Sequence, residues 1–255
     1  MSTKFKIVTS LIFLVLFQAP VKAQFFLSYS VGVTEHDVQI LSFGDNHYGA
    51  MSPSFLNFGM QYKSEKSRWS LSMSSQNTKL TPNLEEIDYF EGTHRVDHTE
   101  LVMGLEYLRK VHESTTGIIA LLGMNYTART ASFTNTIQSE FLEGSWDFEE
   151  DVVFDLSIVG AAEYTFGDKL LRMKMGIGIL NYRYATQKYW RNEKEFYGTG
   201  PSVFFQLRNE IFLQIPVTNR IFIRPEYTFK YHTYREYSVM KALQQHFLIG
   251  GVFQL

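Results

Sequence analysis

His98, Glu100, Asp155, His232 and His246 are the side chains of this sequence that could move a proton. Lys230 belongs with them. A carboxylate near an imidazole can give or take a proton close to neutral pH, so the chemistry on offer is general acid–base catalysis. Asp155 and His232 come from distant stretches and could meet only across an enclosed space or above it. No nucleophile–base–orienter spacing accompanies them. The five residues therefore stand as catalytic candidates and also as an ordinary solvated rim.

Other routes to chemistry are thin. The sequence holds no G-x-S-x-G, no H-E-x-x-H and no glycine loop of the phosphate-cradling kind. Gly198-Thr199-Gly200 is explained by turn geometry. Acidic runs lack the spaced oxygen ligands and sharp-turn glycine of a calcium loop, so neither metal nor cofactor is expected. Cysteine is absent, which excludes thiol redox chemistry and thiolate metal sites. The net charge of −2 gives no reason to expect nucleic acid as a partner.

A second group of charges is larger. Glu106, Glu163, Glu210 and Glu226 alternate with apolar neighbours, as do Arg172, Lys174, Arg208 and Arg224. Four acids and four bases on one face read as an ion-pair network inside an enclosure, because buried charge is tolerated only when paired.

The elements that must position these residues show period-2 alternation. Phe25, Leu27, Tyr29, Val31 and Val33 oppose Phe26, Ser28, Ser30 and Gly32. Trp69, Leu71 and Met73 oppose Ser70, Ser72 and Ser74. Ten such runs are predicted, the eighth from Val203 and the tenth through Phe247, Ile249, Gly251, Phe253 and Leu255. In the seventh, Ile177 and Ile179 share the apolar face; in the fifth, Ile119 and Leu121 blur the pattern. Short connections at Lys63–Arg68, Lys110–Thr115, Gly167–Lys169 and Pro216–Asn219 alternate with long ones near Thr34–Pro53, Lys79–Asp97, Arg129–Asp151, Ala185–Gly200 and Thr233–Leu243. That rhythm suits short periplasmic turns and long external loops. The fold expected is all-β: a closed antiparallel up-and-down transmembrane β-barrel of about ten strands. Lipid then meets the apolar face and the charged face lines the lumen. A barrel this narrow fills its interior with side chains.

The long loops carry aromatics among charges: Tyr89 and Phe90 in the second, Trp146 and Phe148 in the third, Tyr189 and Trp190 in the fourth. They are candidates for external binding. They suit equally a β-extension of the barrel above the membrane.

At the N-terminus, Lys4 and Lys6 precede an apolar run from Ile7 to Phe17, then Pro20 and Val21-Lys22-Ala23. The run is far short of the ~20 residues of a spanning helix. It reads as a signal peptide over residues 1–23, cleaved before Gln24, with one barrel domain over 24–255. Aromatics make up 16% of the chain, which suits interfacial girdles.

With that leader, the hairpin rhythm and the final strand Phe247–Leu255, the chain resembles the small outer-membrane β-barrel proteins of Gram-negative bacteria. Their last strand usually ends in Phe or Trp; here Leu255 is last, with Phe253 two residues before it. The resemblance implies outer-membrane lipid and the barrel assembly machinery as partners, with an envelope protein as a further one. A ten-stranded barrel is also similar to the omptin surface proteases, although no residue here is matched to their catalytic acid pairs or Asp–His pair. Three functions stay open: a non-enzymatic surface-binding, envelope or secretion-complex component; an omptin-like surface hydrolase; and a narrow, porin-like channel for small solutes.

Overall fold

The computed structural model describes residues 24–40, 46–82, 92–139, 143–186, 194–234 and 240–255. They form eleven antiparallel strands: β1 (Gln24–Ile40), β2 (Asn46–Lys63), β3 (Ser67–Pro82), β4 (Gly92–Glu113), β5 (Ile118–Ser139), β6 (Glu143–Phe166), β7 (Lys169–Thr186), β8 (Lys194–Thr199), β9 (Phe204–Pro216), β10 (Ile221–Tyr234) and β11 (Met240–Gln254). Sequence neighbours pair, except β8 with β9, and β1 pairs β11 from Phe26 opposite Gln254 to Ile40 opposite Met240. Pairing of β6 with β7 completes the ring. Closure leaves no free edge, the condition for β-structure to survive in lipid.

Eleven strands occupy ten places in the ring. β7 meets β8 at its upper end, with Asn181 opposite Thr199, and β9 lower down, with Ile177 opposite Leu207. The expected eighth strand is thus one ring member broken at residues 200–203, where the amides of Val203 and Phe204 both turn back onto the Gly200 carbonyl. Phe204, on the same face of β9 as Gln206 and Arg208, lies in the interior and is 6% exposed.

The two faces separate sharply. Leu71, Met103, Leu122, Ile158, Met175 and Ile249 stand outward and exposed, while Ser30, Glu106, Asp155, Arg172 and Thr228 are buried inside. Aromatic rings pair on the outer surface at two heights: Trp69 with Tyr107 near the short turns, and Tyr227 with Phe247 towards the long loops. These heights match the headgroup belts of a bilayer. Gly117 and Gly167 sit in short turns at φ of 81° and 61°, where a side chain would be strained.

Two expectations need correction. Ile179 does not continue the outward stripe of Ile177. A bulge opposite Leu156 and Ser157 inserts one residue, so Leu180 faces out and Asn181 faces in. The long connections are also mostly strand. β5 runs to Ser139 and β6 starts at Glu143, and β6 holds 24 residues where about 9–11 cross a bilayer. The hairpins continue well above the membrane. Outward positions there are polar, such as Glu35, Asp37, Asn77 and Lys79, so the alternation loses its apolar partner just where the strands leave lipid.

Candidate functional site: the barrel interior

Seven charged groups cross the lumen in one continuous run. Arg68 of β3 meets Glu163 of β6 at 3.2 Å. Glu163 also meets Arg172 of β7 at 3.9 Å, and Arg172 reaches Glu106 of β4 at 3.2 Å. Lys174 joins Glu106 at 3.0 Å to Glu210 of β9 at 2.8 Å, and Arg208 closes the run on Glu210 at 3.0 Å. The signs alternate throughout. Arg224 and Glu226 pair separately at 3.3 Å on β10. The Phe212 ring links the two groups, with the Arg172 and Arg224 guanidinium carbons 5.8 and 5.1 Å from its centroid.

All eight residues assigned to a lumen network thus lie inside: six form the run together with Arg68, and Arg224 and Glu226 pair beside it. Arg68 itself escaped the sequence reading. It shares the inward face of Ser70 and Ser72, but it stands one residue before Trp69, where the apolar stripe begins. An apolar cluster of Leu108, Leu121 and Val159 packs the same end of the interior. A second, Val38 with Leu80 and Ala242, packs the loop end.

The five acid–base candidates are also inside, and buried rather than rim-like: His98, Glu100, Asp155, His232 and His246 are all under 9% exposed. Each has a structural contact. Glu100 pairs with Arg129 at 3.7 Å. Asp155 accepts a hydrogen bond from Asn181. His246 Nδ1 lies 2.9 Å from the Thr34 hydroxyl. The His98 ring packs edge-on to His36 at 5.9 Å, and His232 stacks on Phe204 at 6.1 Å. Among the described residues, neither Glu100 nor Asp155 is hydrogen-bonded or ion-paired to an imidazole. Arg129, His36 and Asn181 were missed because their stretches read as loop or, for Asn181, because the bulge changes its face.

Between the ion-pair run and the loop end lies a pocket, bounded by Glu106 and Lys174 below and by Glu100, Arg129, Asp155, Lys230 and His232 around. A second, smaller pocket shares Arg208 and Lys230 with it. Among the described residues no cluster of three or more His, Asp or Glu is arranged to hold a metal ion. Of the external aromatics, Tyr89, Phe90, Tyr189 and Trp190 lie outside the described residues. Trp146 and Phe148 are on β6, with side chains outside those described.

A closed ring with an apolar exterior and a charge-paired interior has the fold of the outer-membrane β-barrels. A solved structure agrees on the fold. Outer membrane protease OmpT from Escherichia coli superposes with a TM-score of 0.54 at 10% identity, covering 91% of this chain and 96% of that one. The translocator domain of autotransporter NalP from Neisseria meningitidis gives 0.44 at 9% identity, covering 96% and 93%. Neisserial surface protein A gives 0.36 at 9%, covering 91% and 99%. No protein-family model matches the chain. No curated protein sequence matches it either.

Proposed function

We propose that this chain is exported by a cleaved leader over residues 1–23 and works in the Gram-negative outer membrane as a non-conducting barrel. Its task there is to hold a β-extension and its loops at the cell surface for binding, or for an envelope or secretion complex. The observation that carries this reading is the run of ion pairs from Arg68 through Glu163, Arg172, Glu106 and Lys174 to Glu210 and Arg208. Strands on opposite sides of the lumen are tied together by groups that would each be costly to strand unpaired. A permeating ion would have to displace them.

A hydrolase reading has less support. The fold is shared with OmpT, but the acid and imidazole side chains above the run are engaged in packing and pairing contacts. The test is conductance. The mature barrel, reconstituted in a planar bilayer, is expected to leave a flat baseline under applied voltage; steady single-channel steps overturn the proposal.

A further inference from the structure

Imidazoles crowd the loop-end half of the interior: His36 of β1, His98 of β4, His232 of β10 and His246 of β11 are all buried. His36 and His98 stand above the lipid band, where their outward neighbours Glu35, Asp37 and Thr99 are polar and exposed. Their rings meet edge-on at 5.9 Å. His36 Nε2 contacts the Gln76 amide and the Thr78 hydroxyl, while its Nδ1 has no hydrogen-bond partner among the described residues. His246 Nδ1 rests on the Thr34 hydroxyl.

A neutral imidazole suits such a place and an imidazolium does not. Both ring nitrogens of the cation donate, and His36 has neighbours for only one of them. Protons on both His36 and His98 would set two like charges 5.9 Å apart, out of water. Glu100 of β4 is the opposite charge acting on His36, His98 and His246, but Arg129 of β5 and Lys230 of β10 already draw on it. Asp155 of β6 faces Arg129. Below, Lys174 and Arg208 meet Glu210. From β2, Tyr48 packs against Val38, Leu80 and Ala242 and carries no charge in acid. Imidazole protons therefore add net positive charge to an interior whose acids and bases are in balance. Burial holds the His36 imidazole down at about 4, against an ordinary value of 6.5. An opened form takes up the protons that the closed form refuses. Closed packing is thus fully favoured above about pH 6.5 and weakens as pH falls towards about 4.

We propose that the loop-end half of the barrel is an acid-released latch. Neutral His36, His98 and His246 keep the β-extension packed around Val38, Leu80 and Ala242, and their protonation loosens it. The ion-pair run below contains no imidazole and stays closed. The latch goes beyond the surface-binding reading, since it needs only a packed extension, whatever the loops bind and whether or not the barrel conducts.

The experiment uses the mature barrel in lipid vesicles, with Ala242→Cys as the single thiol of a chain that has none. Protection is the rate of reaction with 4,4′-dithiodipyridine in urea-unfolded protein, divided by the rate in the folded barrel at the same pH. Protection at 242 is expected to fall at least tenfold between about pH 7.5 and about pH 5. Protection of Leu121→Cys, buried at the short-turn end, should change less than twofold. In the Ala242→Cys protein, His36→Gln/His98→Gln/His246→Gln should hold the acid loss to threefold or less. Heat-dependent gel mobility checks folding; should the triple variant not fold, His36→Gln alone is expected to recover at least threefold of the loss. Unchanged protection at 242 in acid overturns the proposal. Equal loss at 121 overturns it too, because the whole barrel then responds rather than its loop end. So does a full acid loss in the folded glutamine variant, which assigns the response to other groups.

Discussion

Arg68 and Glu163, 95 residues apart in the chain, meet inside the barrel at 3.2 Å with both side chains almost wholly buried. The contact ties β3 to β6 across the lumen rather than through the sheet. Removing one partner strands the other in a poorly solvated interior. Glu163→Ala is therefore expected to destabilise the barrel by about 3–5 kcal/mol. The double variant Arg68→Ala/Glu163→Ala should lose less than the sum of the two singles. Urea unfolding from lipid vesicles measures the cycle, and strict additivity would mean the pair is uncoupled.

The outer stripe has its own test. Met103 stands exposed on β4, between Leu101 and Leu105 on the same face. If acyl chains cover it, Met103→Arg should cost about 2–4 kcal/mol, the penalty for a cation near mid-bilayer. Thr99, outward on β4 between Asn77 of β3 and Ser132 of β5, should accept Arg with a change of about 0.5 kcal/mol or less. Equal effects at both positions would contradict the membrane boundary drawn here.

Packing at the short-turn end rests on Leu108, which is fully buried against Leu121 and Val159. Leu108→Ala should cost about 2–5 kcal/mol, since a cavity replaces the lost side chain. Gly123, opposite Leu108, approaches the next strand so closely that an added Cβ would lie 1.8 Å from the Tyr107 carbonyl oxygen. Gly123→Ala forces backbone movement, so it is expected to lower both stability and folding yield.

Asn181 gives a fourth prediction. Its amide donates to Asp155. Asn181→Leu should destabilise by about 1–3 kcal/mol, because the buried acceptor is left without its donor. Asn181→Asp should be worse still, since it sets two carboxylates side by side. Melting temperatures in detergent rank the three proteins.

Much of this molecule was legible from residue order alone, for a physical reason. Lipid outside and a charged lumen inside impose opposite demands on successive residues, so Leu71, Met73 and Met103 announce one face and Glu106, Arg172 and Lys174 the other. The signal fails where one demand disappears. Above the membrane both faces are polar, so β5 beyond Arg129 read as loop although its ladder continues. Where the backbone changes phase, alternation misleads: the bulge near Ile179 aims Asn181. Pairing across the lumen is the least legible of all. Arg68 and Glu163 are inward by parity, but only the closed ring decides that they meet.

Leu121 and Leu122 offer the most direct measurement. They are identical side chains at adjacent positions of β5, yet one is 2% exposed and the other 51%. The chain has no cysteine, so each can be replaced singly by Cys and carry a nitroxide label in the barrel reconstituted in lipid. Power-saturation EPR should find the label at 122 open to oxygen and shielded from a polar nickel complex, and the label at 121 shielded from both. A label at 121 that meets the nickel complex freely, or one at 122 that meets it as readily as oxygen, would contradict a filled interior wrapped in an oily exterior.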